Sequence, residues 1–218
     1  MASGLNTVEL LGWYGGDETH ALSAWTSTSR ELTDEKRGRI DKLLMMLAQS
    51  EPIHNSPFEK SYLHFLVTTD IASHIHLIKH RIGVSINAES ARYKELKEGK
   101  YYLPVDWPEY ERDSLESHIL TCYKRYRDTL ERLEPVLGRK RAKESARFYL
   151  PYGIQITADV AFNFSSFVHF QKLRNHPDAQ LEIRTIAQTM LDLIHQLPNK
   201  PFKFSLEAFN LLDPKYTL

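Results

Sequence analysis

Lys79-His80-Arg81-Ile82-Gly83-Val84-Ser85-Ile86-Asn87-Ala88-Glu89-Ser90-Ala91-Arg92-Tyr93 carries more polar chemistry than a packed core uses. Lys79, His80 and Arg81 set three nitrogen-bearing side chains side by side, and Arg92 adds another guanidinium beyond them. Two other stretches are similarly loaded. One is His54-Asn55-Ser56-Pro57-Phe58-Glu59. The other runs from Arg147 through Asn163 and His169 to Arg174, then on to Gln180 and Glu182. Arg81, Arg92, Arg147 and Arg174 form a candidate anion set, because a guanidinium fork binds a phosphate bidentately or pairs with an imide carbonyl. Ser90 and its neighbouring amides would complete a phosphate nest, and Asn163 and His169 suit a planar heterocycle. The competing reading of each arginine, taken singly, is a solvated position on an amphipathic helix, where most charged side chains sit.

The surrounding composition narrows the class. A chain of 218 residues, 42% of them apolar, is long enough to bury a sizeable core and fits one domain over residues 1–218. Its 28 basic and 28 acidic side chains cancel, so any anion site must be local rather than a global pull on nucleic acid or membrane. A lone cysteine, Cys122, excludes an intrachain disulfide and fits a reducing compartment. The first residues show neither a basic n-region nor an apolar h-region, and no apolar run approaches the ~20 residues of a membrane helix. The expectation is a soluble protein of the cytoplasm, or of an infected host's cytoplasm if viral.

Periodicity supplies the elements. Thr7 to Trp13 reads as a strand ended by Gly15-Gly16-Asp17, and Asp34 to Gln49 as a helix capped by Thr33 or Asp34, with Ile40, Leu43, Leu44 and Leu47 inward. Tyr62 to Thr69 predicts a strand with both faces buried, and Ile71 to His80 a helix. Ser114 to Leu133 predicts a long helix whose stripe is Leu115, Ile119, Cys122, Tyr126, Leu130 and Leu133; Gly138 breaks it from a second helical stretch, Lys140 to Tyr149. A strand over Ile154 to Ala158, a helix over Phe162 to Leu173 and a helix from Pro177 to Leu197 complete the reading. Lys97 to Pro108 reads as loop. The class is α+β, a mixed sheet flanked by long helices.

The Lys79–Tyr93 stretch resembles the signature of the flavin-dependent thymidylate synthases. That signature usually reads Arg-His-Arg, then Ser-x-Asn-Glu-x-Ser-x-Arg-Tyr; a phage-like subgroup begins Lys-His-Gln with one more residue before the Asn, and this chain has the subgroup's length. His54-x-Ser56-Pro57-Phe58-Glu59 resembles the loop ahead of the signature. Arg147-x-x-Leu150-Pro151, Leu173-Arg174 and Ala179-Gln180-x-Glu182-Ile183-Arg184 resemble the C-terminal half. Three blocks in order, from His54 to Arg184, carry the likeness.

The resemblance implies that family's fold and its reaction: methylation of dUMP to dTMP, with methylenetetrahydrofolate as carbon donor, NADPH as reductant and FAD at a subunit interface of a homotetramer. It implies FAD contacts for His54, Ser56, Lys79, His80, Arg81, Asn87, Glu89, Asn163 and His169. It implies nucleotide contacts for His76, Lys79, Glu89, Ser90, Ala91, Arg92, Arg147 and Arg174. Arg174 would be the catalytic group, facing the uracil and stabilising negative charge on its ring. No metal, nucleic acid or membrane belongs to this reading. Cys122 would be a packed core side chain rather than a nucleophile.

Several positions depart from the pattern. The first signature Arg is Lys79, which keeps charge but loses the fork. Ala88 stands where a Glu is usual, and Glu89 either substitutes for it or leaves the contact unmade. His76 replaces a nucleotide-contacting Gln, Ser165 replaces an Arg, and Lys60 replaces a His. These changes motivate an alternative inside the class: hydroxymethylation of dUMP, or methylation of UMP. Two readings lie outside it. His76 and His80, one helical turn apart, could chelate zinc, with His64 and His74 near in sequence. The basic run Arg139-Lys140-Arg141-Ala142-Lys143 could touch nucleic acid, although it lacks interleaved aromatics.

Overall fold

A computed structural model describes residues 4–90, 95 and 99–212. Among these, four strands form one sheet in the order β1-β2-β4-β3: β1 (Thr7–Tyr14), β2 (Tyr62–Asp70), β3 (Val84–Ala88) and β4 (Gln155–Asn163). Neighbours run antiparallel. The Asn163 amide donates to the Gly83 carbonyl (2.9 Å) and the Glu89 amide to that of Thr157 (2.8 Å), so numbers rise along β3 as they fall along β4. The Phe164 amide likewise meets the Ser61 carbonyl, and the Ile71 amide that of Ile154. At β1, Asn6 Nδ2 donates to Asp70 Oδ2 (2.8 Å), while Gly15 abuts Ser61 at the far end.

The period-two pattern of β2 works on one face. Leu63, Phe65 and Val67 are fully buried, whereas Tyr62 is exposed and His64, Leu66 and Thr68 are half-buried. The expected burial of both faces is therefore corrected. Antiparallel sheets with helices on one side leave the other to polar and mixed residues, and here that side carries Thr68 bonded to Thr157 (2.9 Å) and His64 bonded to Asp159 (2.5 Å).

By residue contacts the chain divides into two compact units. The first comprises Met1–Thr7, Val67–Ile78 and Asn87–Ala158. It holds α4 (Ile71–Leu77) and the long α5 (Glu109–Ala146), and its core gathers Tyr101, Ile119, Tyr123, Tyr126, Leu130, Ala142 and Ile154. Gly138, at φ 75°, interrupts α5 where the sequence predicts a break. The stripe is shifted from expectation: Tyr123 takes the buried place and Cys122 is only half-buried, its thiol 3.5 Å from His118 Nε2. A tyrosine covers more core surface than a thiol, so the helix turns that position inward.

The second unit comprises Val8–Leu66, Lys79–Ile86 and Asp159–Leu218. It holds α1 (Asp17–Trp25), α2 (Asp34–Arg37), α3 (Ile40–Gln49), α6 (Phe164–Arg174), α7 (Leu181–His195) and α8 (Lys203–Ala208). Phe58, Phe65, Phe162, Phe164, Phe167 and Phe202 are buried in it. Phe164 stacks on Phe202 with centroids 5.3 Å apart. The single helix predicted over Asp34 to Gln49 is two, parted at Gly38, a poor helix residue. Thr33 caps the first by accepting from the Lys36 amide. Pro177 does not open α7. It lies in a turn, with its carbonyl receiving Arg184, and the helix starts at Leu181. Helices α1 and α8 and strand β3 were not predicted, because each is short and weakly periodic.

Candidate functional site

The second unit contains a cavity of about 240 Å³ lined by Lys79, His80, Arg81, Ile82, Val84, Ser166, His169, Leu173 and Arg174. Two segments build it. One is the loop between α4 and β3; the other is one face of α6. The sequence separates them by more than eighty residues, and the sheet order brings β3 beside β4, whose end feeds α6.

The loop is fastened to the start of α6. Asn163 is the N-cap: its Oδ1 accepts from the Ser166 amide (2.8 Å), removing one orphan donor. Ser166 Oγ donates to the Ile82 carbonyl (2.7 Å), and the Asn163 amide donates to the Gly83 carbonyl. Gly83 sits at φ +63°, where a Cβ would come within 2.3 Å of both Asn163 Nδ2 and Ser166 Oγ. Only glycine fits. Ser166 was missed as a site residue; its one trace in the sequence is the Asn163-x-x-Ser166 spacing of a helix start.

His80 is 8% exposed, and its Nε2 accepts from Arg174 Nε at 3.0 Å. Burial first, then the Arg174 and His169 charges, push its pKa down to about 4. The ring is therefore neutral near pH 7, with its proton on Nδ1. Phe170 meets it edge-on at 5.0 Å and His169 at 5.9 Å. Lys79, Arg81 and His169 are exposed, as are Ile82 (90%) and Leu173 (50%). The cavity thus offers exposed cations and exposed apolar surface around a neutral imidazole. That mixture fits a ligand with both an anionic group and a planar apolar ring.

Of the residues singled out in the sequence, Lys79, His80, Arg81, His169 and Arg174 line this cavity. Asn163 serves as the helix cap behind it. His54 and Ser56 are exposed, Ser56 opening the turn Ser56–Lys60, and neither lines it. His76, Asn87, Glu89, Ser90 and Arg147 belong to the first unit. There, Glu89 Oε2 accepts from Lys100 Nζ (2.5 Å) and from the Thr157 amide (3.0 Å), and Lys100 also reaches Thr157 Oγ1 (2.8 Å). Asn87 and Arg147 are exposed; His76 and Ser90 are half-buried. Ala91 and Arg92 lie outside the described residues. The zinc reading loses its premise, since α4 ends at Leu77 and His80 is not on that helix. Among the described residues no three His, Cys, Asp or Glu side chains converge as a metal site requires, and no helix is long and apolar enough to cross a membrane.

Residues 9–198 match the family model described as thymidylate synthase complementing protein. A flavin-dependent thymidylate synthase of Pseudothermotoga lettingae is 32% identical over 184 residues, 83% of this chain and 80% of that one. One of Sulfolobus acidocaldarius is 33% identical over 87% of this chain and 72% of its own length. Among solved structures, the UMP/dUMP methylase PolB of Streptomyces cacaoi, bound with 5-Br dUMP, aligns with a TM-score of 0.76 at 26% identity, covering 96% of each chain. The same methylase bound with 5-Br UMP aligns at 0.71.

Proposed function

The chain belongs to the thymidylate synthase complementing protein family, and from that premise we propose that it is a flavin-dependent methyltransferase converting dUMP to dTMP. Methylenetetrahydrofolate is the carbon donor and NADPH the reductant, so the transferred methylene plus one hydride make the methyl group while C5 of the uracil loses a proton. Residues 1–218 act as one catalytic domain.

The observation that carries this reading is the meeting of Lys79, His80 and Arg81 with His169 and Arg174 in one cavity. Lys79 and Arg81 suit the pyrophosphate of FAD, and the exposed Ile82 and Leu173 suit an apolar ring system. His54, Ser56, Asn87, Glu89 and Asn163 complete the proposed flavin contacts. When bound, the flavin supplies the redox chemistry. Arg174 lies beside the uracil, where a fixed cation stabilises charge developing on the ring without reorganisation. His76, Glu89, Ser90, Ala91, Arg92 and Arg147 hold the nucleotide. A volume of about 240 Å³ is below the ~300–1,000 Å³ of ordinary ligand pockets. That size leaves room for a site completed by a second copy of the chain; the homotetramer and its cytoplasmic location are proposed from the family resemblance.

The likeness to a methylase named for both UMP and dUMP favours a second reading, in which UMP is also accepted. Purified protein loaded with FAD is incubated with dUMP or UMP, methylenetetrahydrofolate and NADPH, and the products are identified by mass spectrometry. Formation of dTMP supports the main reading. A 5-methyl product from UMP alone transfers the reading to UMP, a hydroxymethyl product changes the reaction, and no product from either sinks both.

A further inference from the structure

We infer that His80 is the positioning residue of Arg174: its Nε2 accepts the hydrogen bond that Arg174 Nε–H donates and so fixes the direction of the guanidinium. This rests on the reading of Arg174 as the group beside the nucleotide ring. It gives His80 a role other than the flavin contact that the family resemblance implies.

The geometry is specific. An arginine Nε–H is a donor only, so a bond of 3.0 Å to an imidazole nitrogen requires that nitrogen to be unprotonated. His80 is buried, and Phe170 and His169 meet its ring at steep angles, 78° and 64°, which restrains its plane. Its backbone is held too. The loop is tied to α6 through Ser166 Oγ on Ile82 and the Asn163 amide on Gly83. Arg174 itself is the last residue of α6. Acceptor and donor are thus both mounted on one fastened assembly.

The consequence is preorganisation. A mobile arginine loses rotamer entropy when a ligand orders it. An arginine already aligned before a ligand arrives loses less on meeting one. A protonated imidazole could not accept this bond, and the burial that keeps His80 neutral preserves the acceptor. His80 therefore acts on the nucleotide through Arg174.

Two measurements test this. The first needs no ligand. Imidazole 15N spectra of the purified protein near neutral pH should show His80 with Nδ1 protonated and Nε2 as an acceptor, and the Nε2 signal should move in R174A. An Nε2-protonated His80 in the wild type overturns the proposal. The second is a double-mutant cycle on the FAD-loaded enzyme with H80F, H80Q, R174A and H80F/R174A. H80F should lower dUMP turnover on the order of tenfold to a hundredfold, chiefly in kcat, and R174A at least as much. The double variant should be no worse than R174A. H80Q, whose amide oxygen can reach the Nε2 position, should recover much of the loss, with every variant assayed at saturating FAD so that flavin occupancy does not enter the comparison. Multiplying losses overturn the proposal. A wild type that binds neither FAD nor a uridine nucleotide sinks the functional reading instead, and the imidazole spectra still report on the His80–Arg174 bond.

Discussion

Gly83 and Asn163 are pressed so closely that a methyl group on the glycine would lie 2.3 Å from the asparagine amide nitrogen. The contact locks the loop bearing Lys79, His80 and Arg81 against the first turn of α6. Gly83→Ala meets both this clash and a left-handed backbone that costs a non-glycine residue about 1–2 kcal/mol. The expected result is a lower melting temperature together with lost flavin retention, read by calorimetry and by absorbance after gel filtration. A variant that melts earlier yet retains flavin would show that the loop tolerates displacement.

Glu89 and Lys100 supply a second test. Glu89 stands beside the position where the family signature has its glutamate, and its carboxylate is already engaged by Lys100 and the Thr157 amide. Both side chains are mostly covered, so removing the ammonium in Lys100→Met leaves a carboxylate short of one partner. A loss of about 1–2 kcal/mol is expected from urea unfolding, less than for a fully buried pair because some solvent reaches this one. If Glu89 also serves a ligand, nucleotide or flavin affinity shifts in the same variant. Unchanged affinity with lowered stability assigns Glu89 to the fold alone.

The long periodic segments were legible in the sequence because hydrophobic burial leaves a pattern. Strand β1, the break at Gly138 and the Thr33 cap are all written in local residue choice. Lys79, His80, Arg81, His169 and Arg174 stand out in the sequence as clustered polar residues and line one cavity, whereas His54 and Ser56, equally polar in sequence, do not line it. What local patterns could not reveal is how those residues are assembled. Strand β3 is five residues long, and its pairing with β4, which sets Lys79–Gly83 against α6, is a long-range event. The His80–Arg174 bond joins residues 94 positions apart and so leaves no local signature. Ser166 stayed hidden because a serine near a helix start is ordinary, and only the tertiary contact to Ile82 makes it part of the site. The stripe of α5 was misjudged by one residue, since Cys122 and Tyr123 are both acceptable in a core and shape decides between them.

Cys122 tests the absence of a thiol nucleophile. The side chain is half-buried on α5, with its sulfur 3.5 Å from the His118 ring nitrogen. Cys122→Ala removes the one sulfhydryl of the chain. Turnover of dUMP should remain within about twofold, and stability should fall by no more than about 1 kcal/mol. A loss of activity without loss of fold would make the thiol a reacting group and displace the flavin route.

His20 is fully buried between Ser61 Oγ (2.6 Å from Nε2) and Ser205 Oγ (2.8 Å from Nδ1), and burial pushes its pKa down to about 3. The folded state therefore favours neutral imidazole, while the unfolded chain takes up a proton near pH 6.5. Stability from His20 is fully present above pH 6.5 and is lost as pH falls towards about 3, with a slope approaching 1.4 kcal/mol per pH unit. His80 acts in the same direction down to about 4. Asp17, bonded to Ser205 on the far side of His20, has the opposite sign: burial raises its pKa, so its protonation in acid favours the folded state. Urea unfolding at about pH 7 and about pH 5 should show the wild type losing on the order of 2–4 kcal/mol from the two histidines together. His20→Asn should begin less stable at neutral pH and lose less on acidification. An equally steep decline in that variant would place the acid sensitivity elsewhere than His20.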